Sequence, residues 1–231
     1  MKSKEVKEKV ALPELIDELA HNSLVKEYGG PLQVSVTPGD PQSRLAIIVG
    51  DNAGGKSLMV RYLASLLNEQ GTEPLQVSMR YRTQSGMHRM FMFGDDTEES
   101  TGAVSVHAVH GALRTAKERE ESCWVLLDEP DIGLCDSYCR ALAKFVASHA
   151  NELPTNQFEG LVIVTHSKIL VSKLLENLAI KPHFVAVGEN QVGQTLDAWL
   201  EDTSERTVEE LLDLPKKGRK TWSTVNKILS S

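Results

Sequence analysis

Only three of the 231 residues are cysteine, at positions 123, 135 and 139, so no disulfide framework can staple this chain. Cys135 and Cys139 have no second ligand pair nearby, and a zinc site is set aside on spacing. The thiols read as reduced and partly buried. No apolar run approaches the ~20 residues of a membrane span. The opening Met1-Lys2-Ser3-Lys4-Glu5 is charged where a secretory leader would be apolar. Together these predict a cytoplasmic protein that meets no membrane except through a partner. Basic residues are outnumbered, 25 against 32, which leaves a net charge of −7. That excludes a surface generally adhesive to nucleic acid and leaves room only for a local basic groove.

What is present reads as alternation of strands and helices. Leu12 to Glu27 carries a helical stripe at Leu12, Leu15, Ile16 and Leu19, stopped by Gly29-Gly30-Pro31. Strands are predicted over 32–36, 45–49, 74–79, 123–127, 161–165 and 183–187. Helices are predicted over 57–70, 103–121, 137–150 and 167–178, with a loop over 151–160. The later strands are nearly all apolar, as in Leu161-Val162-Ile163-Val164. Strands of that kind lie in a parallel sheet covered on both faces. The expected fold is therefore α/β, a mostly parallel sheet covered by helices. Beyond Glu201 the chain turns polar, with one short helix expected near Thr207 to Leu214. The basic cluster Lys216-Lys217-Gly218-Arg219-Lys220 follows it. Contact with DNA would rest on that cluster, but five such residues on an acidic protein are more often a solvated end.

The densest information lies in Gly50-Asp51-Asn52-Ala53-Gly54-Gly55-Lys56-Ser57, between an apolar strand and a helix. This is the setting of a Walker A phosphate loop. Its glycines let backbone N–H groups curl around a phosphate, and the following helix aims its positive end at the same anion. Lys56 would reach the β- and γ-phosphates, and Ser57 would hold Mg²⁺. Cys123 to Leu127 runs directly into Asp128-Glu129-Pro130. An apolar strand ending in Asp is the Walker B arrangement, here expected beside the phosphate-loop strand, with Asp128 acting through Mg²⁺. Glu129 would position or deprotonate the attacking water. Strand 161–165 ends in Thr165-His166, and His166 is placed to report the γ-phosphate from the edge where open α/β sheets bind ligands.

Gly50 to Ser57, Leu127-Asp128-Glu129-Pro130-Asp131-Ile132-Gly133-Leu134 and Val164-Thr165-His166-Ser167, in this order, resemble the ABC/SMC-like class of P-loop ATPases. The Asp-Glu-Pro-x-x-Gly-Leu form is closer to the soluble AAA-labelled or overcoming-lysogenization-defect type than to a transporter domain. The resemblance spans about 30 to 190. It implies an N-terminal helical extension over 1–29, an ABC-type ATPase domain over 30–200, and a polar C-terminal helix and basic tail over 201–231. It further implies a head-to-tail homodimer with ATP between the subunits. Ser100-Thr101-Gly102 is the best match to the signature that faces the partner's γ-phosphate, although Ser100 also suits a plain N-cap. Gln84 would touch Mg²⁺ and the water. Asp136 or Asp131 would lie in the subunit-contacting loop, and Tyr28 would stack on adenine or pack at a helix end. One departure is plain. Only 42 residues separate Ser57 from Ser100, too few for a large helical subdomain or a coiled coil. The basic, Met- and Phe-rich stretch 80–93 stands there instead, either as a partner surface or as core.

The main expectation is an Mg²⁺-dependent ATPase. An ATP-controlled switch that contacts a protein partner through 80–93, with little hydrolysis, is the alternative. A P-loop kinase explains less, because Asp-Glu-Pro and Thr-His would then have no role.

Overall fold

The computed structural model describes residues 12–21, 33–78, 100–155, 157–188 and 193–229. Tyr28, Gln84 and the stretch 80–93 lie outside the described residues. The elements run α1 (Leu12–His21), β1 (Gln33–Thr37), β2 (Leu45–Val49), α2 (Lys56–Glu69), β3 (Leu75–Ser78), α3 (Thr101–Glu118), β4 (Cys123–Asp128), α4 (Asp136–Ala150), β5 (Phe158–Thr165), α5 (Lys168–Leu175), β6 (His183–Gly188), α6 (Leu196–Glu201) and α7 (Val208–Leu229).

Among the described residues, six strands form one sheet in the order β1-β6-β2-β5-β4-β3. β1 runs antiparallel to β6, and the other neighbours are parallel. β2, β4 and β6 are buried along their whole lengths, as expected for strands covered on both sides. Side chains alternate between two cores. Ile47, Val49, Val125, Leu127, Ile163 and Phe184 face one layer, built from α3, α4, α5 and α6. Ala46, Ile48, Trp124, Leu126, Val164 and Val185 face the other, where Leu12, Leu15 and Ile16 of α1 join Met59, Leu63 and Leu67 of α2. The result is an α/β protein, helices on both faces of a mostly parallel sheet.

Three expectations are corrected. β4 does not lie beside β2, because β5 is hydrogen-bonded between them. Several strands here are equally apolar, so composition does not select the neighbour. β5 is the longest strand, and its register spans all of β2 on one side and all of β4 on the other. β5 also starts at Phe158 inside the predicted loop, since the Phe158 side chain is fully buried opposite Cys123. Finally, the short helix near 207–214 is the first third of α7, a 22-residue helix that continues through Pro215. A proline removes only its own N–H and crowds the preceding turn, so it can kink a helix without ending it. The cluster 216–220 consequently sits on a helix. α6, just before the polar region, was not anticipated; Leu196 and Trp199 bury its inner side, and the Thr195 hydroxyl caps it.

Candidate functional site

The carboxyl ends of five parallel strands meet along one edge, where Ser78, Asp128, Thr165, Gly188 and the loop after Val49 are neighbours by register. The loop 50–57 is shaped from its first residue. Gly50 has φ +156°, and a Cβ there would lie 2.0 Å from the Val187 carbonyl oxygen of β6. Only glycine lets the loop leave the sheet at that point. Gly54 N–H donates to the Asp51 carbonyl at 3.1 Å, and the amides of Leu58 and Met59 donate to the Gly55 carbonyl, which opens α2. Lys56, 5% exposed, folds back under the loop. Its Nζ donates to the carbonyls of Gly50 at 2.9 Å and Asp51 at 3.0 Å. A buried ammonium beneath the first amides of a helix is an electropositive seat for an anion. Ser57 follows half-buried at the start of α2.

Asp128 ends β4 and is 6% exposed. Its Oδ2 accepts a hydrogen bond from the buried Ser78 hydroxyl at 3.0 Å. The chain then turns sharply. Glu129 takes the left-handed conformation, φ +55°, rare for a residue with a side chain and costing about 1–2 kcal/mol. Its amide donates to the Val164 carbonyl at 2.8 Å, so the turn lies across the end of β5. That brings Glu129 Oε1 within 3.5 Å of His166 Nδ1. The Thr165 hydroxyl donates to Asp131 at 2.8 Å and accepts from the Ser167 amide at 2.9 Å, tying the same turn to the start of α5. From α3, the buried Ser105 hydroxyl donates to the Pro130 carbonyl at 2.6 Å. Ser105→Ala should leave that acceptor without its donor and lower unfolding free energy by about 1–3 kcal/mol. A denaturant midpoint unchanged from the parent would show that the bond contributes nothing.

The Glu129 carboxylate raises the pKa of His166 above the ordinary histidine value; partial burial and the Lys56 ammonium act the other way. A histidine whose folded pKa is raised favours the folded state fully below its unfolded pKa. That contribution disappears as pH rises through the folded pKa. His166 is half exposed, so solvent screens the pair and the stability change is small. The better measurement is an NMR titration of the imidazole. Glu129→Gln should move the His166 midpoint downward, and an unmoved midpoint would show that the two side chains do not meet in solution.

Ser100 caps α3, its hydroxyl accepting from the Ala103 amide at 3.3 Å, and it is exposed. Gly102 is buried against the turn after β4. A Cβ on Gly102 would lie 2.6 Å from the Gly133 carbonyl oxygen, and Gly133 itself needs φ +78°. These two glycines let the start of α3 lock onto residues 131–134. Asp136 is the exposed first residue of α4, while Asp131 is engaged by Thr165.

The fold thus brings Lys56, Asp128, Glu129 and His166 to one edge, with Ser100 and Gly102 on the flank of the Glu129 turn. Sequence reasoning missed two partners. Ser78 supports Asp128, and nothing in Leu75-Gln76-Val77-Ser78 distinguishes it from any strand-end serine. Arg206, before α7, forms an ion pair with Asp51 at the loop apex. It lies in the polar tail, and nothing local sets it apart from the other charged residues there.

The fold and site define an α/β protein with a glycine-rich loop and a carboxylate–imidazole pair at the carboxyl edge of its sheet. No family model matches the chain, and no curated protein matches it. Among solved structures, a chain of the HORMA:CdnC:Trip13 complex of E. coli MS115-1 is 12% identical. That match covers 73% of this chain and 58% of that one, with a TM-score of 0.34. The ORC1 protein of Aeropyrum pernix, in complex with DNA, is 16% identical over 94% of this chain and 52% of its own, also with a TM-score of 0.34. This chain therefore spans little more than half the length of either. Likeness at that level carries no argument about function, which rests on the site itself.

Proposed function

We propose that this protein binds ATP with Mg²⁺ and hydrolyses it, as an ABC-type P-loop ATPase working as a head-to-tail dimer. The observation that carries the reading is Lys56: a lysine buried beneath a glycine loop and a helix start, on the same edge as Asp128, Glu129 and His166. Amides of residues 51–57 would receive the phosphates, with Lys56 countering their charge. The oxygen donors Ser57 and Asp128 suit Mg²⁺, which takes one or two protein oxygens and completes its shell with phosphate and water. The described residues contain no group of three or more His, Cys, Asp or Glu side chains that would hold a metal without such a ligand. Mg²⁺, when bound, neutralises phosphate charge. Glu129 would orient the attacking water and take its proton, and His166 would hold the Glu129 carboxylate in place and face the terminal phosphate. Ser100 of a second copy would complete the site, with Gly102 allowing close approach. Gln84 as a further Mg²⁺ contact and Tyr28 beside adenine belong to the same proposal.

No helix among the described residues is long and apolar enough to cross a membrane. Calorimetry of the full chain tests the reading. ATP should bind with heat that depends on Mg²⁺, and free phosphate should appear on incubation. No magnesium-dependent heat with either ATP or GTP would end the proposal. Heat without phosphate release would favour a switch that uses nucleotide only to control a partner.

A further inference from the structure

A cleft of about 660 Å³ lies between the apex of the glycine loop, Asp51 and Asn52, and one side of α7. α7 is held there by the ion pair of Arg206 with Asp51 and by Gly218, which sits so near the loop that a Cβ on it would be 3.7 Å from Ala53 Cβ. The cleft borders the apex of the loop, so it is open to a group attached to phosphates seated there.

The chemistry of the walls narrows the occupant. Leu211 and Leu214 supply apolar surface, and Leu211 is 63% exposed although it lines a concavity. Glu209, Glu210 and Asp213 add carboxylates, so with Asp51 the lining carries four acids against two bases. Arg206 pairs with Asp51 and Glu210, and Lys216 with Asp213, so the wall keeps a small acidic excess that disfavours a second phosphate. It suits a neutral group with one flat apolar face and several hydroxyl or amino donors. A nucleoside fits that description.

Resting on the reading of loop 50–57 as a triphosphate seat, we propose that α7 forms the wall of the nucleoside half of the site. The base lies against Leu211 and Leu214, and the ribose hydroxyls donate to α7 carboxylates. The helix after the sheet would then give the protein its preference for a nucleotide over bare polyphosphate.

The test is calorimetry of the full chain with Mg-ATP and with Mg-tripolyphosphate. The parent should bind ATP at least tenfold more tightly. Leu211→Ser, an exposed position whose substitution leaves the core untouched, should shrink that ratio several-fold. Leu211→Ser with Leu214→Ser should abolish it, and tripolyphosphate affinity should stay constant in both. Equal affinities in the parent would overturn the proposal while leaving the phosphate seat intact. So would a preference that survives both variants, which would put the base away from α7. Tighter ATP binding in the variants would overturn it as well, making α7 an obstruction. Failure of both ligands to bind the parent would remove the phosphate seat and this proposal together.

Discussion

Glu129→Gln is expected to lower ATP turnover about 10²–10⁴-fold while ATP still binds, the range set by losing a positioned general base. Glutamine keeps the length and one acceptor oxygen of the side chain but cannot take a proton. The turn should survive the change. Its left-handed backbone at position 129 is held by the amide bond to Val164 and by the Thr165–Asp131 and Ser105–Pro130 bonds, none of which involves the Glu129 side chain. The loss should therefore fall on kcat, with ATP affinity nearly unchanged. If two copies close around ATP, the variant should also accumulate as a nucleotide-dependent dimer in sedimentation, because hydrolysis no longer reopens it. Phosphate release at the parental rate would remove Glu129 from its role, and a monomer at saturating Mg-ATP would remove the dimer.

Much of this site could be read from residue order, and the parts that could not share a cause. β2, β4 and β6 are apolar on both faces, so their identity as central strands follows from composition. Gly50 to Ser57 declares itself locally, whereas Asp128-Glu129 gains its meaning from following five apolar residues downstream of that loop. Adjacency is different. Whether β4 or β5 sits beside β2 depends on tertiary pairing among strands of similar composition, and β5 took the central place. That placement puts the Glu129 turn across the end of β5, directly against His166. The Glu129–His166 pair is thus a product of strand order, invisible in either motif alone. Ser78 escaped for the same reason, since a strand-end serine acquires meaning only when β3 pairs with β4 and sets it against Asp128. α7 escaped because Pro215 looks like a terminus when the helix has no visible support. The support is the loop it touches at Arg206 and Gly218.

Lys56→Met should weaken ATP binding by about 10²–10⁴-fold, the loss of two charge-assisted hydrogen bonds at roughly 1.5–3 kcal/mol each. Its effect on the nucleotide-free protein should be far smaller, and this contrast makes the variant informative. The ammonium is 5% exposed and donates to the Gly50 and Asp51 carbonyls. Burying a charge costs several kcal/mol before such bonds offset it, and an unbranched apolar side chain of similar length carries no such penalty. Methionine leaves two carbonyls short of a donor; that of Asp51 is at the exposed apex, while that of Gly50 is buried and its loss costs about 1–3 kcal/mol. The two changes nearly cancel. Thermal unfolding should separate the cases. At an ATP concentration 100 times the parental Kd, ligand binding should add about 2.7 kcal/mol to the parent and almost nothing to the variant. The two apo proteins should melt within a few degrees of each other. A variant that melts far below the parent without nucleotide would mean that Lys56 is chiefly a structural tie for the loop. One that keeps the full ATP-dependent rise would mean that the triphosphate does not sit over Lys56.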